Sequence, residues 1–389
     1  MTLPGVTPVM NLSVADVYDV LREIGRGVYG TVFLGEHRET RQLRALKKFR
    51  SEQGAAARVL KEKAILRCVK PKQDKCDDAS QYLIQVYEII EDPEGCVWLS
   101  TEYLAHGNLL TWFRKARQVS ELQVCIIIHQ VLQALHYLHE NHILHRDIKP
   151  DNILVRSTVP LTIALCDFGI SKLCASENGA FTPAGPGLDF MAPRILEHIA
   201  EGQKGSIIAF QCEAKGWDVW SVGVLTYWLL SGKMPFKAST VRGMLDVHDN
   251  LRFPESDFGG VSSEAKSFVR SLLSVDTGAT SRVTAAKVAL QHSWFNIVQT
   301  PGDAQQCASA VLVGTPTALA SVTDDDIRSQ WAEPPSANPV ETAQRPMVPH
   351  VVSTTEKKEF TFDNSAIAAK QAEYRAKHAR KEAKESNEF

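Results

Sequence analysis

Apolar positions along this chain follow two different periods, and where the period changes the expected elements change with it. In the N-terminal third short β-rich runs dominate: Thr31-Val32-Phe33-Leu34 runs on to Gly35, and Arg44-Ala45-Leu46-Lys47-Lys48-Phe49 reads as a strand whose two lysines face opposite sides. Val59-Leu60-Lys61-Glu62-Lys63-Ala64-Ile65-Leu66 instead has helical spacing, with Val59, Leu66 and Val69 near one face. Val219 to Leu230 is a mostly apolar run that predicts a long apolar helix, too short for a membrane span. After Phe295 the periodicity fades. Pro, Ala, Ser, Thr and Gln dominate from Thr300 to Thr355, a composition that cannot build a core. From Asn364 the chain turns Ala-, Lys- and Glu-rich, with Asn364 or Ser365 as N-cap and Glu373 placed to pair with Lys377 on a charged helix. The expected organisation is an N-terminal extension over 1–17, one folded domain over 18–296, a disordered linker over 297–363 and a charged helical tail over 364–389.

Two polar blocks interrupt the apolar pattern and carry the chemistry. His145-Arg146-Asp147-Ile148-Lys149-Pro150-Asp151-Asn152 is followed by Cys166-Asp167-Phe168-Gly169, which sets two carboxylates, a lysine and a carboxamide at spacings suited to phosphoryl transfer. That reaction needs a hydroxyl aimed at a γ-phosphate and cations to neutralise the phosphates. Asp147 is expected to orient the hydroxyl and accept its proton and Lys149 to touch the γ-phosphate, while Asn152 and Asp167 hold Mg2+ through hard oxygen ligands. Upstream, Gly25-Arg26-Gly27-Val28-Tyr29-Gly30 has a GxGxxG spacing that a dinucleotide-binding turn shares. Such a turn opens a helix, whereas here a β-rich run follows, which favours a hairpin lid over phosphates.

Composition narrows the class further. The 389 residues, 44% hydrophobic and 23% charged, suit one two-lobed domain with extensions. A formal net charge of −2 without a basic stripe points to no nucleic-acid partner, and no run points to a membrane. The eight cysteines form no CxxC pair and the N-terminus lacks a basic start with an apolar core, so a cytoplasmic location, or a nuclear one, is expected. His136, His139, His142 and His145 recur every third residue, a spacing that a zinc site can also use.

With the glycine lid, Lys47, Glu62, the catalytic block and the Asp-Phe-Gly triplet in order, the chain resembles the eukaryotic protein kinases across 18–296. Lys149-Pro150-Asp151-Asn152 is similar to the serine/threonine type, and His292-Ser293-Trp294-Phe295 to the calcium/calmodulin-dependent group. The resemblance implies an α+β, two-lobed fold: a small antiparallel-sheet lobe with one helix (αC), a mainly helical large lobe, and ATP in the cleft. It implies that Gly25, Gly27 and Gly30 cover the phosphates and that Lys47, held by Glu62, meets the α- and β-phosphates. Ile24, Val32, Ala45 and Leu154 would then sandwich the adenine. Thr101 would be a small gatekeeper, with Glu102 and Leu104 pairing to the base through their backbone at the hinge, and Asn108 stands where many kinases bind ribose with an acid.

Protein substrates with Ser or Thr hydroxyls follow, as does an upstream kinase acting on Thr182. Oligomeric state is left open. Two departures favour a competing reading as a pseudokinase scaffold: Arg194 replaces the family's glutamate in Ala192-Pro193-Arg194, and Gly185 to Leu188 lack its Gly-Thr pair. Arg194 beside the family's arginine, Arg282 here, leads to the expectation that Glu197 takes over the pairing or the lobe rearranges.

Overall fold

The computed structural model describes residues 9–10, 13–27, 30–49, 79–93, 95–116, 119–168, 171–173, 187–200, 215–274 and 285–298. Glu62, Gly169, Thr182, Gly185 and Arg282, and with them the expected αC helix, linker and tail helix, lie outside the described residues.

The β-rich runs assemble into a six-stranded sheet of β1 (Val9–Met10), β2 (Tyr18–Gly27), β3 (Gly30–His37), β4 (Leu43–Phe49), β5 (Val86–Glu91) and β6 (Val97–Glu102), in the order β1-β5-β6-β4-β3-β2. Every pairing is antiparallel except that of β1 with β5. Register explains the division of labour between the faces, because directly opposed residues share a face. Gly25, Val32, Lys47 and Leu99 form one row and Leu34, Ala45 and Thr101 the next on the same side. The alternate positions bury Leu46, Ile90 and Trp98 with Tyr18 on the opposite face. Burial of a side chain such as Leu46 contributes about 1.5–3 kcal/mol. Val14, from the short capped helix α1 (Val14–Val17), joins that cluster, so part of the N-terminal extension is built into the small lobe. Lys48 points to this side, as alternation predicts, with its ammonium 5.1 Å from the Trp98 ring centroid.

The large lobe is built from α2 (Leu109–Lys115), α3 (Glu121–Glu140), α4 (Gly187–Phe190), α5 (Pro193–Ala200), α6 (Lys215–Ser231), α7 (Val241–Val247), α8 (Glu255–Phe258), α9 (Ser263–Leu273) and α10 (Ala286–Ala289). Two hairpin-like pairs accompany them, β8 (Ile153–Thr158) with β9 (Leu161–Leu165) and β7 (Ile143–Leu144) with β10 (Lys172–Leu173). Ser120 and Gln123 close a capping box at the start of α3. The run read as a long apolar helix is α6, buried from Gly216 to Ser231. Among the described residues no helix is long and apolar enough to cross a membrane. A Cβ on Gly223 would come within 2.7 Å of Leu273, so glycine lets α6 and α9 approach. Glu121 ties the C-terminal end of the domain to α3: it accepts from Ser262 N (2.8 Å), Ser262 Oγ (2.5 Å) and Trp294 Nε1 (2.9 Å). The 3-10 helix Ser293–Val298 that carries Trp294 runs past residue 296.

His248, just after α7, is a buried imidazole set edge-on against Trp220 (5.1 Å between ring centroids) and Phe236 (4.8 Å). Neither ring nitrogen has a hydrogen bond among the described residues. Burial pushes its pKa down to about 4, against a weaker upward pull from Asp249. The folded state therefore refuses a proton that the unfolded chain accepts below about pH 6.5, and stability falls with acidity between about 6.5 and 4, at up to about 1.4 kcal/mol per pH unit. His248→Phe should raise the melting temperature by a margin that widens as pH drops from 7 to 5. Parallel melting curves across that range would remove His248 as the source.

Candidate active site

The catalytic block sits where α3 ends and the chain must turn back under the sheet. His142, past the C-cap Asn141, adopts a left-handed φ of 59°, and β7 follows at once. Pairing of Leu144 with Lys172 and Ile143 with Leu173 brings the segment after Phe168 alongside the catalytic loop. Cys166 N donates to Asn152 O at 2.9 Å, and Ser171 Oγ to His145 O at 3.0 Å. Ser171 is thus a fully buried hydroxyl with a structural bond.

Asp147 and Asn152 meet within one turn of chain. Asn152 Nδ2 donates to Asp147 Oδ2 at 2.7 Å and to Asp147 O at 2.9 Å. Lys149 Nζ stands 3.2 Å from Oδ1, an ion-pair distance, yet Oδ1 is buried and takes no hydrogen bond among the described residues. The Asn152 amide spends its nitrogen on Asp147, which leaves its oxygen, a hard ligand, for a cation. From the sheet above, Lys47 Nζ reaches Asp167 Oδ1 at 3.0 Å, a bond across 120 residues of chain. Lys47, Asp147, Lys149, Asn152 and Asp167 are thereby gathered at one place. Asp167 holds a φ of 62°, a left-handed backbone that a non-glycine residue rarely adopts and that is common at working sites.

Beneath the loop lies an acid just ahead of the apolar run that starts at Val219. Asp218, buried in the first turn of α6, accepts from His145 N (3.0 Å), Arg146 N (2.7 Å) and His139 Nε2 (2.9 Å). It satisfies the backbone of Arg146, whose φ is 68°. Burial alone would raise the Asp218 pKa, but the His139 hydrogen bond and charge, with His145 and the Arg146 N–H, outweigh it and hold the carboxyl below its usual value. The available signal was a lone acid opening an otherwise apolar helix.

His139 and His145 serve this scaffold. His145 Nδ1 accepts from Asp147 N (3.3 Å), so its Nε2 carries the hydrogen and donates to Cys166 O (3.0 Å). Its ring stands edge-on to Phe168 at 5.2 Å, and burial lowers its pKa despite nearby Asp218. Among the described residues no cluster of His, Cys, Asp and Glu could hold a metal ion.

The expected adenine-lining residues are half-buried on the face that Lys47 occupies. Val32 opposes Lys47, Ala45 opposes Thr101, and Ile24 is the extra residue of a bulge between Glu23 and Gly25. Leu154, in β8, and Leu104 are half-buried against the core of the large lobe. A Cβ on Gly25 or Gly27 would meet nothing within 4 Å, so internal packing does not demand glycine there. Gly30 differs, since a Cβ would fall 2.2 Å from Lys48 O. Asn108 does not stand free for a sugar: its side chain caps α2 by accepting from Thr111 N at 2.9 Å.

The expected pairing of Glu197 with Arg282 lies outside the described residues. Arg194 is 61% exposed and pairs with Glu197 at 3.1 Å on the surface of α5. Glu197 therefore neutralises Arg194 itself.

The protein kinase domain family matches the chain over residues 18–295. A probable myosin light chain kinase of Dictyostelium discoideum is 32% identical over 280 residues, covering 72% of this chain and 83% of the relative. Myosin light chain kinase A of the same organism is 32% identical over 288 residues, covering 72% and 89%. MAP kinase-interacting serine/threonine-protein kinase 2 of Xenopus laevis is 30% identical over 329 residues, covering 76% and 66%.

Proposed function

The chain belongs to the protein kinase family and is similar to its serine/threonine type, and from that premise we propose that it is catalytically active, transferring the γ-phosphate of ATP to Ser or Thr hydroxyls of protein substrates with magnesium as its metal. The observation that carries this reading is the asymmetry of Asp147. One oxygen is fixed by Asn152, and the other is buried, without a hydrogen bond among the described residues, and flanked by the Lys149 ammonium. That oxygen has the Lys149 ammonium as a charge partner and still has capacity to accept a hydrogen bond from an incoming hydroxyl.

In this reading Asp147 aligns the substrate hydroxyl and takes its proton, while Lys149 and Lys47 bear on the phosphate charge. Asn152 and Asp167 would hold magnesium, which supplies charge neutralisation when bound. The scaffold alternative rests on Arg194 and the altered Gly185 to Leu188 segment, and the retained Lys47, Asp147, Asn152 and Asp167 weigh against it. We place the protein in the cytoplasm or nucleus, a reading supported among the described residues by Cys96 and Cys125, both reduced thiols. Thr182 remains our proposed activation site for an upstream kinase.

The test is incubation of the full chain with MgATP and an array of Ser-, Thr- and Tyr-containing peptides. Transfer confined to Ser and Thr peptides is the expected result. A rise in melting temperature with MgATP and no transfer to any peptide would make the scaffold reading correct.

A further inference from the structure

The connection between the lobes carries a side chain that the chemistry above leaves unused. In the β8–β9 ladder Val155 pairs with Ile163 and Ser157 with Thr162, so Arg156 is the extra residue of a bulge. A bulge re-aims its side chain, and here the guanidinium is turned onto Glu102 at the end of β6. Nε donates to Oε2 at 3.2 Å and Nη2 to Oε1 at 2.5 Å, a two-bond fork between cation and carboxylate.

The remaining donors go to main chain: Nη1 to Gln81 O at 2.5 Å and Ile163 O at 3.3 Å, and Nη2 to Leu83 O at 3.2 Å. The five N–H groups of one guanidinium are thereby engaged, on the end of β6, on the segment 81–83 and on β9. Glu102 is held from the other side as well, since Gln85 N donates to its Oε1 and its own N–H donates to Gln85 O, both at 3.0 Å. The side chains of Arg156 and Glu102 are only 28% and 16% exposed, so solvent does little to weaken the pair.

We propose that Arg156 is a positioning residue for the nucleotide: by clamping Glu102 it sets the hinge backbone of residues 102–104 against the half-buried Leu154, two residues away on the same strand, and so sets affinity for the purine base and choice among bases. The inference rests on the nucleotide-binding reading above. A clamp of this kind acts alike on ground state and transition state, so its loss belongs in KM and leaves kcat. Lysine replaces it only in part, because an ammonium has three donors and no planar fork.

The experiment uses the full chain as wild type, Arg156→Ala, Arg156→Lys and Glu102→Gln, with MgADP binding by calorimetry, initial rates with ATP and with GTP, and melting temperatures. For Arg156→Ala the expected result is an ATP KM and an ADP Kd raised about tenfold, a kcat within about twofold and a reduced preference for ATP over GTP. Arg156→Lys should fall between Arg156→Ala and wild type. A merely structural role would lower the melting temperature and the active fraction while leaving KM and the ATP-to-GTP ratio where they were. Should Arg156→Ala fail to fold, Glu102→Gln, which keeps the shape and removes the charge of the clamp, reads the same two quantities. An unchanged KM and ratio in a folded variant would overturn the proposal. If wild type binds no MgADP, the nucleotide reading itself fails and the proposal with it; if wild type and variants bind equally, only the role of Arg156 fails.

Discussion

Asp147→Asn will lower kcat for peptide phosphorylation by roughly 10²–10⁴-fold while the variant stays folded and MgADP binding stays at its wild-type value. The variant keeps the volume of the side chain and an oxygen for the Asn152 Nδ2 bond, now 2.7 Å long. It removes the carboxylate charge that receives a proton and that sits opposite the Lys149 ammonium at 3.2 Å. The wild-type Oδ1 is buried with the Lys149 ammonium as its charged partner, so the amide also gives up an ion pair and stability should fall modestly. Unchanged MgADP binding separates that loss from global misfolding. Turnover within about tenfold of wild type would end the assignment of Asp147 as base, since general base catalysis contributes more than that.

The second large effect is one of stability. Asp218→Ala should cost about 3–5 kcal/mol, the range for removing one partner of a buried charged network. The loss strands His145 N, Arg146 N and the His139 ring, the three groups that the carboxylate now receives within 3.0 Å. With Arg146 N released, its left-handed φ of 68° loses its restraint and Asp147 is no longer held in place. Denaturant unfolding would show the loss, and activity should fall even under conditions where the variant remains folded. The pH dependence has a definite sign. Hydrogen bonding and charge hold the Asp218 pKa below its usual value despite burial, so its contribution is fully present above about pH 4 and disappears as pH falls through the lower folded value. The variant and wild type should therefore converge in acid and diverge toward neutrality. A constant difference in stability from pH 3 to 7 would contradict the network.

The parts of this site that were readable in the chain are those whose partners are close in sequence or whose spacing carries its own chemistry. Asp147 and Asn152 bond across five residues, so the block that contains them already implies their meeting. Alternation in β4 placed Lys47 and Lys48 on opposite faces, and the structure finds one on Asp167 and the other on Trp98. The fold class was legible through the kinase resemblance those motifs carry, and the long apolar run, now α6, has nowhere to go but the interior.

Tertiary packing decided the rest. Asp218 serves residues 72 to 79 positions away, and Arg156 reaches back 54 residues to Glu102, distances over which no local pattern carries information. Asn108 stands where many kinases carry a ribose-binding acid, which put that contact in doubt, and in the structure its side chain caps a helix by accepting from Thr111 N. Arg194 looked like a buried charge by motif and sits on the surface of α5, where Glu197 and solvent meet it. A sequence states which groups are present and which face of an element they take. Which of them end up together inside, where an unmatched charge or hydrogen bond is most costly, is settled only when the elements pack.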